Sequence, residues 1–312
     1  MSSRAITWQQ ALLLVATSVS FASSVVLNKL LIVVLPPITL AGARALLAVP
    51  FCLLAMRLMA RPLPKASADR VAIALASLGI IVVPYVAVAI GQQTIASGVS
   101  GILYSVTPLV TLLLGWLFLR DEPLRWDRLL GILIGMAGVV AVIGPSMLGG
   151  LGEHAVAELI TLCGPTAYAA AMVVMRRARH IDPVALTGGA FVFAAIILVP
   201  LAWWVEGAPL GQLDLPSVAL LTAMAVFGTI APAVLNYMLV QQVGATRAAI
   251  AMFLMPVIVV LAGWLFLDER LGLNALAGLA LILAGSVLVT VGVRATPRVE
   301  SGSRVAVSGG ER

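Results

Sequence analysis

The chain is a succession of uninterrupted apolar runs, each about 20 residues long, the length at which a helix crosses a bilayer. Ten can be counted, at about 8–33, 38–57, 71–92, 97–119, 128–146, 156–176, 183–204, 217–240, 246–267 and 273–293. Runs of this kind leave few folds open. Within a bilayer no water satisfies backbone N–H and C=O groups, so a spanning segment is a helix or part of a closed barrel. These runs do not alternate apolar and polar residues as barrel strands do, so the spans read as helices. A soluble fold is excluded by composition. Of the 312 residues 62% are hydrophobic and 10% charged, and the mean hydropathy is +1.12. That is more apolar surface than a water-facing core of this size can hide. The first run follows Arg4, is too long for a signal-peptide core and shows no clear cleavage site, so it reads as the first span.

The net charge of +6 does not indicate a nucleic-acid partner, because the basic residues are dispersed in short connections, where orientation signals belong. Ten crossings put both termini on one side. With that side cytoplasmic, sixteen of the nineteen basic residues fall there: Arg4, Arg57, Arg61, Lys65, Arg70, Arg120, Arg125, Arg128, Arg176, Arg177, Arg179, Arg247 and four arginines from Arg294 onward. The positive-inside rule therefore predicts cytoplasmic termini in a plasma membrane, the inner membrane of a bacterium. The Ser/Gly/Arg-rich stretch 294–312 reads as a disordered tail.

One passage occurs twice. Gly98 to Glu122 runs through Pro108 and Gly115-Trp116-Leu-Phe-Leu119 to an acidic turn. Gly244 to Glu269 runs through Pro256 and Gly263-Trp264-Leu-Phe-Leu267 to another, with the prolines and tryptophans both 148 residues apart. Further matches lie outside it: Pro84 with Pro232, Gln92-Gln93 with Gln241-Gln242, Gly131 and Gly138 with Gly278 and Gly285, Pro37 and Gly42 with Pro183 and Gly188. A period this long marks two related halves, 1–146 and 147–293. Five spans per half is odd, so the second half enters the membrane from the opposite side. Inverted repeats of this kind are typical of secondary transporters, with a site near the midplane between them. The fold class expected is an all-α polytopic membrane protein, ten transmembrane helices as two inverted five-helix repeats around a central cavity.

These residues carry a resemblance. Two five-span repeats, each with a proline-bearing fourth span closing on Trp-Leu-Phe-Leu and an acidic turn, resemble the EamA branch of the drug/metabolite transporter superfamily. Pro36-Pro37-Ile-Thr-Leu-Ala-Gly-Ala-Arg44 resembles the start of that family's second span, arginine included. The resemblance covers about 1–293. It implies that spans 1–4 and 6–9 line the cavity, with 5 and 10 packed outside. The family's usual Trp-Gly-Ser-Asn in span 1 stands here as Phe21-Ala22-Ser23-Ser24, a departure that bears on the pocket. Asn28-Lys29 also resembles the sugar-phosphate branch of the superfamily, on two residues only.

Candidate substrate-pathway residues follow from what is rare at membrane depth. Tyr85, Tyr104, Tyr168 and Tyr237 lie within spans 3, 4, 6 and 8, and a buried hydroxyl needs a partner or water. Packing between helices is the competing explanation. Lys29 and Arg44 are the basic residues placed within spans. Such charges mark a pathway or a pairing, unless their stems snorkel to the interface. Asn236 could bond substrate or bridge helices. Pro84, Pro108, Pro165, Pro232 and Pro256 lie near mid-span, where each removes a backbone bond and could kink the helix for gating. All six tryptophans fall near span ends, as an interfacial belt requires. Gly131-Ile-Leu-Ile-Gly135 could mark a dimer face or packing within one chain.

Other functions find little support. Cys52 and Cys163 are isolated, and His154 and His180 lie in loops. No metal cluster, phosphate-binding loop or ATPase motif appears, so neither catalysis nor a cofactor is expected, and no repeated filter residues suggest a channel. No acidic residue lies mid-span. Glu158 falls at most near the outer end of span 6, so a buried acid that would exchange protons for a cationic drug is not expected. The reading is a carrier that exports small metabolites by alternating access. Amino acids with aromatic or apolar side chains are favoured, without evident proton coupling. A sugar-phosphate or organic-anion exchanger and a proton-coupled drug exporter are the alternatives. The partners expected are a small-molecule substrate and the bilayer, for a monomer, with a homodimer left open.

Overall fold

The computed structural model describes residues 7–118, 126–148, 153–207, 213–243, 248 and 250–292. The expected tail 294–312, the turn Asp121-Glu122 and Gly244 at the start of the second copy lie outside these residues. The described elements are helices: α1 Trp8–Leu31, α2 Pro37–Leu58, α3 Ser67–Gln92, α4 Ser97–Phe118, α5 Trp126–Leu148, α6 Glu153–Arg177, α7 Pro183–Glu206, α8 Leu215–Val243, α9 Ile250–Phe266 and α10 Leu273–Gly292. Seven are long and apolar enough to cross a membrane alone, and α5, α9 and α10 supply shorter apolar stretches. With them the ten-helix architecture is complete.

Local chemistry sets the helix ends. Thr7 and Gln10 form a reciprocal capping box at α1. Pro37 and Pro183 occupy first-turn positions of α2 and α7, where the missing N–H costs nothing. Asp182 and Asp214 cap α7 and α8, each accepting backbone N–H groups. Hydrogen bonding by Ser217 holds the Asp214 carboxyl below its ordinary range. Gly207 ends α7 with φ +71°, a left-handed cap that glycine adopts without penalty.

Contacts come in pairs with the halves exchanged, which is the signature of an inverted two-fold relation. In the α5–α10 interface a Cβ on Gly138 would lie 2.8 Å from the Gly278 carbonyl, and one on Gly285 would strike the Gly131 carbonyl. These are one contact made twice, since Gly131 and Gly138 correspond to Gly278 and Gly285. In the α2–α7 interface Gly42 faces the backbone of Leu198 at 3.3 Å, and its counterpart Gly188 faces Met56 and Cys52. The backbones of Gly131 and Gly135 lie against Gly285 of α10, and Gly135 also faces Leu109 of α4. The glycines let the backbones approach closely, as small residues do between membrane helices. The six tryptophans are all exposed near helix ends, where an aromatic belt would meet the headgroups.

Two faces follow from this order. The terminal face holds the ends of α1 and α10 and the α2–α3, α4–α5, α6–α7 and α8–α9 connections. The distal face holds the other five.

Candidate functional site

Proline breaks both long central helices at matching places. Pro84 cannot donate to the carbonyl four residues back, and α3 answers with a π-turn over Leu78–Val82, closed by Val83 N–H on the Leu78 carbonyl. Pro232 is preceded by the corresponding π-turn, Val226–Ile230, closed by Ala231 on Val226. Such bulges keep most backbone bonds while bending the helix. In α8 the carbonyl deprived by Pro232 is that of Gly228.

Arg44 fills that vacancy. Its Nη2 donates to the Gly228 carbonyl and to Ser24 Oγ, both at 2.7 Å, and its Nε donates to Thr229 Oγ1 at 2.7 Å. Ser20 Oγ donates to the neighbouring Phe227 carbonyl at 2.6 Å. The guanidinium lies 3.7 Å from the centroid of the Tyr85 ring, a cation–π stack. Tyr85 directly follows Pro84, so one side chain from the first half joins both breaks. Arg44 is 6% exposed, so it is buried rather than snorkelling. Its Nη1 makes no hydrogen bond to any described residue.

Two more tyrosines complete the cluster. Tyr104 is the last residue before α4 tightens at Ser105–Val106. A Cβ on Gly164 would lie 3.0 Å from its hydroxyl oxygen and 3.5 Å from the Pro84 Cα. Glycine at 164 therefore gives the ring its seat, and Ala22, Val25, Met255 and Val259 pack around it. Tyr168 is one turn along α6 from Gly164. Arg44 lies within electrostatic reach of Tyr85 and Tyr104, and Tyr168 within reach of both rings.

The other expected residues lie elsewhere. Lys29 Nζ donates to the carbonyls of Gln92 and Ile95 at 2.6 and 2.8 Å, at the distal end of α3. Asn236 is half-buried and Tyr237 is 44% exposed on the terminal half of α8. Pro108 sits just beyond the Ser105–Val106 tightening, whereas Pro165 and Pro256 lie inside continuous helices. So the pathway candidates divide into a central group, Arg44 with Tyr85, Tyr104 and Tyr168, and two outlying groups. Sequence reasoning did not find Ser20 or Thr229 as partners of the break. Ser24 stood in the motif that departs from the family pattern.

The carboxylates need one correction. No buried acid was expected, yet Glu158 is 5% exposed at the distal end of α6. It lines a distal cavity of about 260 Å³ with His154, Arg270 and Asn274. Two further acids tie connections across the halves. Glu206 accepts from Ile38 N–H, Thr39 N–H and Thr39 Oγ1 at the start of α2, at 2.7–3.0 Å. Glu269 does the same for Ser97 and Gly98 at the start of α4, at 2.7–3.1 Å. Each places a negative charge on a helix N-terminus, where the dipole favours it.

The two halves also differ in how their broken helices pack. On α3, Val86 and Ala89 face α2 and its neighbours, and Ala89 is fully buried among Leu31, Leu35, Leu40 and Ala43. Their counterparts on α8, Val234 and Tyr237, should face α7, yet both are exposed, as is Met238. The terminal half of α8 packs on α1, through Leu14 and Leu239, and has no comparable interface with α6 or α7. Among the described residues the helices pack together at the distal end, and α7 and α8 part at the terminal end.

The all-helical membrane architecture agrees with the comparisons to known proteins. The profile of the EamA-like transporter family matches twice, at residues 8–144 and 155–291. The chain belongs to the EamA-like transporter family. It is a multi-pass membrane transporter, and its ten helices are the EamA fold. An uncharacterized transporter of Archaeoglobus fulgidus is 28% identical over 262 residues, 82% of this chain and 89% of that protein. The uncharacterized inner membrane transporter YedA of Escherichia coli K12 is 29% identical over 270 residues, 82% of each chain. The uncharacterized transporter YoaV of Bacillus subtilis is 24% identical over 196 residues, 62% of this chain and 67% of that protein. A solved structure described only as "Crystal structure of protein" superposes with TM-score 0.63 at 16% identity, over 92% of this chain and 99% of that one. That likeness concerns the fold. As in other EamA-like transporters, the substrate is a small molecule and the surroundings are lipid.

Proposed function

We propose that this EamA-like transporter exports small carboxylate-bearing metabolites, amino acids with aromatic or apolar side chains foremost, across a plasma membrane with both termini in the cytoplasm. The observation that carries this reading is Arg44. Its Nε and Nη2 are held by α8 and Ser24, which leaves Nη1 with two N–H groups for a substrate carboxylate. A guanidinium already held in place loses little entropy on binding an anion. Tyr104 and Tyr168 would then pack a ring or alkyl side chain, with their hydroxyls available to polar groups. Pro84 and Pro232 supply the bends that hold these walls apart, and Asn236 and Tyr237 border the route between α7 and α8. On the proposed orientation that route opens to the cytoplasm, the loading side for export.

The engagement of Lys29 bears on the alternatives. With its ammonium given to the Gln92 carbonyl at the end of α3 and the Ile95 carbonyl just beyond it, one guanidinium serves the centre. That suits a monoanionic carboxylate better than a phosphate dianion. Arg44 has no carboxylate among its partners, which favours a facilitator over a proton-coupled drug exporter. The test is uptake of labelled phenylalanine or leucine into proteoliposomes, in competition with glucose 6-phosphate and a quaternary ammonium. Saturable uptake competed by amino acids supports the reading. Uptake of the phosphate ester or the cation alone overturns it.

A further inference from the structure

The repeats are related, yet among the described residues the distal end is packed and the terminal end parted, and identical halves would favour neither arrangement over its mirror, so the residue differences between them are where a preference can arise. The counterparts of Asn28 and Lys29 on α1 are Val174 and Met175 on α6. Around the first pair the structure places four hydrogen bonds, three between α1 and the end of α3 and one from α1 to the turn that follows it. Lys29 Nζ donates to the Gln92 and Ile95 carbonyls, Asn28 Nδ2 donates to Gln92 Oε1 at 2.7 Å, and Gln92 Nε2 donates to the Val25 carbonyl at 3.2 Å. Asn28 and Gln92 are buried. The Gln92 carbonyl is among those a helix C-terminus leaves without intrahelical donors, at the negative end of the α3 dipole, which favours a cation, and the Ile95 carbonyl belongs to the turn that follows α3. Glu269 lies within electrostatic reach of the ammonium and holds the other side of the same turn, at Ser97. The second pair has no polar atoms to offer. Met175 instead packs with Ile73, Ala178, Ile181 and Leu186, and the terminal half of α8, which carries Gln241, stands away from α6.

We infer that Asn28 and Lys29, with Gln92, are the latch of the distal gate, and that its presence in one repeat alone sets the resting conformation open at the terminal face. Lys29 is then a positioning residue of the transport cycle rather than a substrate ligand. Opening the distal face detaches the end of α3 from α1 and α2, and breaks these four bonds. The exposed α8 counterparts show what α3 then presents: Ala89 takes up the exposure of Tyr237, and Ile90 that of Met238.

The test needs no substrate, so its outcome is independent of the proposed function. In a background with Cys52→Ser and Cys163→Ser, the reporters are Ala89→Cys for the distal gate and Met238→Cys for the terminal one. Alkylation by a hydrophilic maleimide is timed in purified protein in nanodiscs, where both faces are accessible. Asn28→Val with Lys29→Met copies the α6 pair onto α1. It is expected to speed labelling at position 89 by about tenfold, the scale set by losing hydrogen bonds to a charged donor, and to slow labelling at 238. The reverse exchange, Val174→Asn with Met175→Lys, gives α6 the polar pair that α1 carries and is expected to slow labelling at 238. It keeps the test decisive if the first pair does not fold. Opposite movement of the two rates is the diagnostic, since simple loosening of the bundle would raise both. Rates that rise together, or stay unchanged in the variants that remain monodisperse, overturn the inference.

Discussion

Arg44 illustrates how one residue can serve structure and site together. Two of its three hydrogen bonds go to the broken α8 and the third to Ser24 on α1, its charge rests on Tyr85, and one nitrogen is left over. Arg44→Gln is expected to abolish uptake and to lower stability by about 1–3 kcal/mol, because the Gly228 carbonyl is left buried without a donor. Arg44→Lys keeps the charge but loses the planar fork, so it should recover stability only in part and transport hardly at all. Thermal melts and proteoliposome uptake read the two effects separately. Tyr104→Phe removes the hydroxyl beside Gly164 while keeping the ring. It should leave stability nearly unchanged and raise the KM for amino acids carrying a polar group more than for phenylalanine. Equal KM changes for both would count against a substrate contact by that hydroxyl. At this scale the sequence showed that Arg44 was out of place in lipid. It could not show Ser24 and Thr229 as its partners, because they lie 20 and 185 positions away along the chain.

The α3 and α8 breaks are legible in the sequence, because a proline without an N–H at mid-helix leaves a carbonyl unpaired wherever the chain goes. Both π-turns appeared at the prolines, Pro84 and Pro232. Pro165 and Pro256, equally visible in the sequence, lie in continuous helices, so proline alone does not decide between bend and bulge. Pro232→Ala restores an N–H that can bond Gly228 and compete with Arg44. The melting temperature should hold or rise, since proline inside a helix costs about 3 kcal/mol, while transport falls. A fall in both would mean that the break stabilises the bundle. In the α5–α10 pair, Gly138→Ala would bring a Cβ to 2.8 Å from the Gly278 carbonyl and from the Ile282 backbone nitrogen. Backbone atoms cannot rotate aside, so about 1–3 kcal/mol of destabilisation is expected, with KM unchanged because the site lies elsewhere.

For the whole molecule, the symmetry predicts alternating access by rocking of the halves, and the absence of a carboxylate among Arg44's partners predicts flux that follows the substrate gradient. Uptake of labelled phenylalanine should proceed at the same initial rate with and without a step of one pH unit across the liposome membrane. Strict dependence on that step would turn attention to Glu158 and the distal cavity. Reporter fusions before Arg4 and after Arg294 should both report the cytoplasm. Reporters on opposite faces would remove the ten-span orientation on which the export direction rests.

Length, apolarity and repetition were enough to determine the membrane environment, the helical class, ten crossings and two inverted halves. Each of these follows from local properties of the chain: backbone groups must pair within lipid, and an odd number of spans reverses direction. Only the tertiary structure decided which polar residues meet. It brought Arg44 from α2, Tyr85 from α3 and Gly228 from α8 to one point, and it gave Lys29 to the end of α3 instead. It also decided which face is closed, a difference between related halves that appears only when each contact can be compared with its counterpart. Polar pairing in a membrane protein depends on which orphaned backbone groups lie within reach, and that is a property of packed helices rather than of spacing along the chain.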